Sequence, residues 1–337
     1  MTPISFADAI VRTAERRRHL LLGNGFSIAA WSDFRYVALQ GVVVGRERRI
    51  DDLFAQFDTV DFERVARALL EAKKVLSVHE GTEALIDIIA GDYRDLRRLL
   101  VSAITETHPA APSELEELFD DCAGFLRHFI GSELDEARRG KIFSTNYDLL
   151  LYWTLMRRGA ALKFNDGFRG RNPLSWLKQA EQSIFYLHGA LHLFEVGGVT
   201  QKLSVTDRLI DAINERIESL DVPLFISEGS SQEKRVRIEE SHYLKAASDC
   251  LASACEDADA SLFILGHSLR DEDAHIFEKI AEGRVPEVFV SVRDPDSLEM
   301  KAEIRKTTAL WVDKRAQRGG PPLTVFSYNP AEAAPWG

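Results

Sequence analysis

The chain has 337 residues, 45% of them hydrophobic and 28% charged, which is the composition of an ordinary globular protein with one large domain or two medium ones. Its 42 lysines and arginines are outnumbered by 53 acidic residues, and the net charge of -11 argues against nucleic acid as a partner, because phosphate binding favours a basic surface. Its 3 cysteines form no C-x-x-C pair, which argues against a disulfide framework and a structural zinc ribbon.

The N-terminal segment predicts a short helix over residues 5–15, but it breaks into an arginine run and so lacks the apolar core of a signal peptide. No apolar run approaches the length of about 20 residues that a membrane-spanning helix needs. We therefore expect a cytoplasmic protein without a membrane partner.

A buried strand is predicted at 19–23, where the run HLLLG ends in glycine. From residue 46 to residue 132, apolar residues recur at spacings of three and four, which is typical of amphipathic helices. No strand pattern interrupts them. Residues 46–132 are therefore predicted to form a helical insertion in a domain made of residues 1–45 and 133–337.

Short apolar strands then alternate with helices, which predicts a mostly parallel sheet covered on both faces. The predicted strands are 141–145, 183–187, 222–227, 261–265, 287–292 and 323–327. The predicted helices are 149–158, 206–220, 233–254, 271–282 and 296–311. Segment 191–205 departs from this pattern and predicts a β-hairpin with a Gly-Gly turn. The expected fold class is α/β, with a Rossmann-type sheet and an inserted helical module.

The first candidate site is the turn after strand 19–23, where two glycines allow a tight turn and close approach of the backbone to a diphosphate. The following helix N-terminus offers unpaired N–H groups to the anion. The third glycine of the pattern G-x-G-x-x-G is missing, so an ordinary strand-to-helix turn is the alternative. The expected cofactor-binding residues are Gly23, Asn24, Gly25, Phe26 and Ser27.

Polar residues also crowd behind strand 141–145. Asn146 can donate and accept at once, which suits a ribose hydroxyl or a positioned water. Thr145 is expected to contact the cofactor, and Asp148 to hold the loop or polarise its neighbours. The alternative is a helix cap, with Thr145 or Asn146 at the N-cap and Asp148 favoured by the helix dipole.

His188 ends strand 183–187 and precedes Gly189, which frees the backbone to turn. A histidine at this position is suited to general base catalysis near neutral pH. A histidine satisfied in the core is the alternative. His192 follows four residues later, but no third ligand is spaced nearby, so we expect no metal.

The fourth segment follows strand 261–265, where Gly266, His267 and Ser268 are expected to contact the cofactor. The acids at 271–273 open the next helix and are interpreted as dipole and capping residues. A similar pattern at 287–292 puts Ser291 at a strand end that suits the adenosine half of a dinucleotide.

Taken in this order, the four segments resemble the motifs of the sirtuin-like family. A sirtuin has G-A-G-x-S at its first turn, T-x-N-x-D after a middle strand, then H-G, and G-x-S before the last part of the sheet. The match spans residues 19–292. The matching residues are Gly23-Asn24-Gly25-Phe26-Ser27, Thr145-Asn146-Tyr147-Asp148, His188-Gly189 and Gly266-His267-Ser268.

The details look closer to stand-alone bacterial members of the phage-defence and abortive-infection type than to protein deacylases. The resemblance implies that NAD is bound, and several members of that wider group cleave NAD to nicotinamide and ADP-ribose. Two features depart from the family pattern. The zinc-binding cysteines of deacylating sirtuins are absent, and Ser32-Asp33-Phe34-Arg35 lies one residue too close to the glycines to match the sirtuin P-D-F-R.

The resemblance therefore predicts an NAD glycohydrolase in antiphage defence, with NAD as substrate and no metal. Asn146 would orient water or the ribose, His188 would take a proton, and cleavage would pass through an oxocarbenium-like state under a lid from the helical module. One alternative is a module that senses NAD or an ADP-ribose derivative without cleaving it. Another is an NAD-dependent protein deacylase. A third is a protein whose helical region binds a second copy of the chain or a partner from a defence system.

Overall fold

The computed structural model describes residues 1–178, 181–204, 208–219, 222–226, 230–293 and 298–337. The strands of these residues are β1 (Thr2–Pro3), β2 (Arg17–Leu22), β3 (Ile142–Ser144), β4 (Phe168–Arg169), β5 (Leu174–Trp176), β6 (Ile184–Tyr186), β7 (Leu193–Val196), β8 (Val199–Lys202), β9 (Ala260–Leu265), β10 (Glu287–Ser291) and β11 (Thr324–Tyr328). Their helices are α1 (Phe6–Arg12), α2 (Asn24–Ala30), α3 (Tyr36–Val43), α4 (Arg48–Gln56), α5 (Phe62–Leu76), α6 (Glu83–Thr107), α7 (Leu118–Ile130), α8 (Leu150–Arg158), α9 (Leu209–Glu218), α10 (Ser231–Glu240), α11 (His242–Glu256), α12 (Ala274–Glu282), α13 (Leu298–Gln317) and α14 (Pro330–Ala333). Parts of four predicted elements lie outside the described residues. They are the end of the hairpin at Val205, the end of the strand at Ser227, and residues 206–207, 220 and 296–297 of two helices.

Seven strands form one sheet in the order β1-β11-β10-β9-β2-β3-β6, and every neighbouring pair is parallel. Alternate residues of a strand point to opposite faces, so β2 sends Leu20 and Leu22 into one hydrophobic core and Leu21 into a second. Both faces are therefore buried, which is why β9, β10 and residues 20–22 of β2 are mostly apolar. The predicted α/β fold class is confirmed.

The strand order contains a topological switch point. The edge strand β1 aside, the strands lie in the order β6-β3-β2-β9-β10-β11. If these six strands are numbered by their order in the sequence, this order is 3-2-1-4-5-6, which is the order of Rossmann folds. The chain runs outward from β2 through β3 to β6, and then resumes on the other side of β2 at β9. Ligands of open α/β sheets bind at the carboxyl ends of the strands beside such a point.

The region from 46 to 132 is helical, as the apolar spacing predicts, and consists mainly of α4 to α7. Phe62 and Leu69 of α5 and Leu100 of α6 belong to the same hydrophobic core as Leu20 of the central strand. Helix α7 packs directly against β2, and α5 and α6 pack against each other within the same core. The division into a domain of residues 1–45 and 133–337 and an insertion of residues 46–132 stays a prediction.

A second, antiparallel sheet has the order β4-β5-β8-β7. It contains the predicted hairpin, with Gly197 and Gly198 at φ +59 and +77 in the turn. The predicted strand at 222–227 is wrong for its described residues 222–226, which make only an isolated bridge between Phe225 and Gly189. Pro223 has no N–H to donate, and Leu224 and Ile226 instead bond to the loop that follows β6.

The predicted single helix over 233–254 is two helices, α10 and α11. They meet at Ser241, whose hydroxyl accepts a hydrogen bond from the Leu244 N–H and so caps α11. Among the described residues, no helix combines the length and apolarity that crossing a membrane requires.

Candidate functional site

The predicted site segments follow strands of the parallel sheet, so they lie at one edge of it. Gly23 follows β2, Thr145 follows β3 and Gly266 follows β9, while Ser291 is the last residue of β10. Because all these strands run in the same direction, their carboxyl ends meet at the same edge. The turns at Gly23 and Gly266 flank the switch point between β2 and β9.

Three polar side chains at this edge form a chain of hydrogen bonds. The Ser27 hydroxyl donates to Asp148 Oδ2 at 2.5 Å and accepts from Asn146 Nδ2 at 2.8 Å. The second Nδ2 proton of Asn146 goes to the Gly23 carbonyl at 3.1 Å. Asn146, Asp148 and Ser27 are all buried. Asp148 thus fixes Ser27, and Ser27 together with Gly23 fixes the orientation of the Asn146 amide.

The same bonds leave the other end of the Asn146 amide unpaired. Its Oδ1 is buried and has no hydrogen-bond partner within the described part of the protein. The amide cannot be reversed to satisfy it, because the Gly23 carbonyl requires a donor where Nδ2 stands. A buried acceptor without a partner costs on the order of 1–3 kcal/mol. Asn146 therefore presents an acceptor that a hydroxyl or water could satisfy.

The helix-cap alternative applies to Asp148 alone. Asp148 Oδ1 accepts from the Leu150 N–H at 2.9 Å at the start of α8. The hydroxyl of Thr145 instead donates to the Leu22 carbonyl at 3.1 Å, which ties the end of β3 to β2. Burial raises the pKa of the Asp148 carboxyl, and the hydrogen bonds from Ser27 and Leu150 oppose this only in part.

The two glycines of the first turn have a structural role that the sequence analysis missed. A Cβ on Gly25 would lie 2.7 Å from the Gly266 Cα, and one on Gly23 would lie 2.7 Å from the Gly266 carbonyl oxygen. Neither Gly23 nor Gly25 has a positive φ, whereas Gly266 has φ +72. The glycines are needed because the turns after β2 and β9 touch backbone to backbone.

The backbone N–H groups that were expected to face a diphosphate are instead engaged in hydrogen bonds within these turns. The N–H groups of Gly23, Gly25 and Phe26 donate to the carbonyls of Leu265, Gly266 and Gly23, respectively. The expectation of a row of free N–H groups at this turn is therefore wrong for these three residues. Gly25 remains exposed at the tip of the turn, beside exposed Asn24, and Ser268 is exposed on the opposite turn.

His188 and His267 lie in a second polar cluster. His188 Nε2 is 3.0 Å from His275 Nε2 and 3.8 Å from Asp273 Oδ1. Asp273 also faces His267 Nε2 at 3.4 Å and accepts from Lys234 Nζ at 2.9 Å. Among the described contacts, the His188 ring meets this cluster rather than Asn146. Gly266 contacts the turn at Gly23 and Gly25, and His267 is the next residue along the chain. The turn after β9 therefore connects the two clusters.

Burial and ion pairs set the charges in the second cluster, where Lys234 Nζ also lies 3.5 Å from Glu63 Oε2. Burial lowers the pKa of His188 well below its ordinary value and that of His275 to about 4, so both rings are uncharged at neutral pH. Burial alone would raise the pKa of Asp273, but Lys234 and the hydrogen bond from His267 hold it well below its usual range. Lys234 is itself only 1% exposed, so its ammonium group is the resident counterion of Asp273.

His188, Asp273 and His275 also have the donor types of a metal site, with ligand atoms within 4.8 Å of one another. The 3.0 Å between the Nε2 atoms of the two histidines suits a shared hydrogen bond and also two ligands of one ion. The charge of Lys234 is the observation that disfavours a metal there. Lys234 already pairs with the Asp273 oxygen nearest His188, and a divalent ion about 4 Å from an ammonium would meet a repulsion of roughly 8 kcal/mol at an effective dielectric constant of about 20.

The remaining predicted residues have structural contacts. Ser291 is buried, and its hydroxyl accepts from the Gly266 N–H at 2.9 Å, so it holds the turn after β9. His192 lies between the rings of Tyr152 and Tyr186 and belongs to the core. The sequence pattern indicates a helix-dipole role for Asp273 and does not single out Lys234 or His275. The spacing D-x-H of Asp273 and His275, just after the glycine turn at Gly266, is the signal from which their pairing could have been predicted.

The buried histidines predict a loss of stability in acid. Their folded pKa values lie below the ordinary value of 6.5, at about 3 for His19 and about 4 for His108 and His275. Below pH 6.5 the unfolded chain therefore takes up protons that the folded chain does not, and the free energy of unfolding falls as the pH falls. We expect a loss of roughly 1 kcal/mol per such histidine between pH 6.5 and 5.5 in urea unfolding.

His192→Phe is the matched variant for this experiment, because burial also lowers the pKa of His192 and a phenyl ring fits its aromatic surroundings. The variant should show a shallower dependence of unfolding free energy on pH than the wild type. Equal unfolding free energies of the wild type at pH 7.0 and 5.5 would contradict the account.

Comparison with known proteins gives a family but no activity. The chain is similar to a solved structure described as "Structural Basis for the Mechanism and Regulation of Sir2 Enzymes", at 12% identity, with 93% of this chain and 97% of that chain covered and a TM-score of 0.36. A score this low carries no argument about fold or function. No curated protein matches the chain. The family model described as Domain of unknown function (DUF4917) matches residues 20–334, and the chain belongs to this family.

Proposed function

We propose that the protein cleaves NAD to nicotinamide and ADP-ribose at the carboxyl edge of its sheet. The observation that carries the proposal is the buried Oδ1 of Asn146, which has no hydrogen-bond partner among the described residues and lies beside the topological switch point. NAD offers ribose hydroxyl donors, and dinucleotides bind Rossmann-type sheets across such a switch point. The ordered sirtuin-like motifs favour NAD over other dinucleotides.

In the proposed reaction the bond between ribose C1′ and the nicotinamide nitrogen breaks, and the electron pair leaves with nicotinamide, which becomes neutral. The oxocarbenium-like ribose is then captured by water, as in glycoside hydrolysis. Asn146 accepts a hydrogen bond from the ribose or the attacking water, and Asp148 acts through Ser27 by holding Asn146. His188, neutral at pH 7, takes the proton that the water loses.

The remainder of NAD would lie along the turns that flank the switch point. We propose that the exposed Asn24, Gly25 and Ser268 contact the diphosphate. Behind the diphosphate, the proposed site is lined by Thr145, Phe26, Ser27 and Gly23. The turn on the opposite side consists of Gly266 and His267 and is held in place by Ser291. A setting in antiphage defence, with a second copy or a defence partner on the helical region, rests on the motif resemblance alone.

Incubation of the purified protein with NAD tests the proposal, with nicotinamide and ADP-ribose quantified and binding measured by calorimetry on the same sample. An NAD hydrolase releases both products in equal amounts. A sensor, the second candidate, binds NAD or ADP-ribose without product, and a deacylase releases nicotinamide only when an acylated peptide is added. Binding without product would reject the hydrolase in favour of the sensor, and neither binding nor product would reject both.

A further inference from the structure

His188 is 2% exposed, so a proton that it accepts cannot pass directly to bulk water. Its Nε2 lies 3.0 Å from the Nε2 of His275, which is in the first turn of α12. Two imidazole nitrogens at this distance share one proton, with one ring donating and the other accepting. His275 is thus the hydrogen-bond partner of the ring that we propose to take the proton, at the nitrogen through which that ring can pass a proton on.

His275 also borders a pocket at the protein surface. Its Nδ1 lies 3.4 Å from the Ser231 hydroxyl, and His275 lines a pocket of about 510 Å³. The pocket is also lined by Arg235 and Glu239, both of which are exposed, so it opens at the protein surface. His275 therefore lies between the buried His188 and a solvent-accessible pocket.

The charges around His275 favour passage of a proton over its retention. Asp273 attracts a proton to the pair of rings, whereas Lys234, Arg235 and Lys279 oppose a lasting positive charge on His275. Burial contributes most, and lowers the pKa of His275 to about 4. The His275 ring therefore does not retain an extra proton at neutral pH.

We infer that His188 and His275 form a two-imidazole relay that carries the proton of each turnover from the buried site to the pocket beside Ser231. The inference rests on the proposed NAD hydrolysis. That reaction releases one proton, because the water oxygen bonds to C1′ while cationic nicotinamide leaves as a neutral molecule. His188 takes the proton at Nδ1 and passes the proton on its Nε2 to His275 Nε2, and His275 gives up the proton on its own Nδ1 to water in the pocket. Each ring returns to its neutral form.

His275→Ala tests the relay, with single-turnover nicotinamide release measured from pH 5.5 to 8.5 and with added imidazole. The rate is expected to fall by about 10², the NAD dissociation constant to stay within about twofold, and imidazole entering from the adjoining pocket to restore most of the rate. Rescue by a diffusible proton acceptor is a readout that a merely structural role of His275 would not move. His192→Phe is the matched control, since it removes another buried histidine that lies outside the pair.

The outcomes separate the relay from the proposed function. If the wild type releases no nicotinamide, both are overturned. If the wild type is active and folded His275→Ala keeps its rate and pH profile, or loses its rate without rescue by imidazole, the relay alone is overturned. One equivalent of a divalent metal in the purified wild type that is lost in His275→Ala would also overturn it, because the pair would then be a metal site.

Discussion

Asn146→Ala is expected to bind NAD almost as well as the wild type and to release nicotinamide roughly 10²–10⁴ times more slowly, the usual effect of removing a group that acts in the transition state. The alanine removes the unpaired Oδ1 acceptor as well as the bonds to Ser27 and Gly23. Most contacts of NAD would lie along its diphosphate and adenosine, so affinity should change little. Initial rates and dissociation constants of both proteins, corrected for folded fraction, check this expectation.

Thr154→Val is the matched control, because it removes a buried hydroxyl that donates to the Leu150 carbonyl in the adjacent helix α8 but has no proposed role in the reaction. If the importance of Asn146 were only structural, the two variants would lose thermal stability and activity in parallel. We expect Thr154→Val to lose stability and keep its turnover per folded molecule. A folded Asn146→Ala protein with wild-type turnover would contradict the assignment.

Gly25→Val is expected to unfold the protein or to lower its free energy of unfolding by about 3 kcal/mol or more. Its Cβ would lie 2.7 Å from the Gly266 Cα and 2.9 Å from the Gly266 carbonyl oxygen, and neither backbone atom can rotate away. The turn therefore cannot accept a larger residue at this position unless the backbone after β9 shifts. Denaturant unfolding measures the loss directly.

Gly41→Ala provides the comparison, since Gly41 lies within α3 and a Cβ there meets nothing within 4 Å. Alanine in a helix interior is expected to stabilise the protein by roughly 0.5–1 kcal/mol relative to glycine. A Gly25→Val protein with wild-type unfolding free energy would show that the turns after β2 and β9 are not in contact.

The sheet could be predicted from the sequence because its strands are buried on both faces. The apolar runs LLL (20–22) and LFIL (262–265) are each followed directly by a glycine, which marks both the strand and the turn that follows it. The short strands β4 and β5 have only two and three residues, too few for any periodicity to be recognised. The segment at 222–226 is as apolar as a strand, but it pairs with a loop through Phe225.

The candidate site was predictable in position but not in its contacts. Asn146 was singled out for its chemistry, yet only the structure reveals that Ser27 and Gly23 use both of its donors and leave Oδ1 unpaired. Asp273 opens a helix as dipole residues do, and nothing in the sequence reveals that the buried Lys234, nearly forty residues earlier, faces it. Such pairings depend on how distant helices pack, which local patterns do not encode.

The structure of the protein with ADP-ribose bound is the measurement that tests the central claim most directly. The account predicts a ribose hydroxyl or an ordered water within about 3 Å of Asn146 Oδ1, with the diphosphate between the turns at Gly25 and Ser268. ADP-ribose bound elsewhere, such as in the pocket beside His275, or an Asn146 Oδ1 that still lacks a partner in the complex, would contradict it.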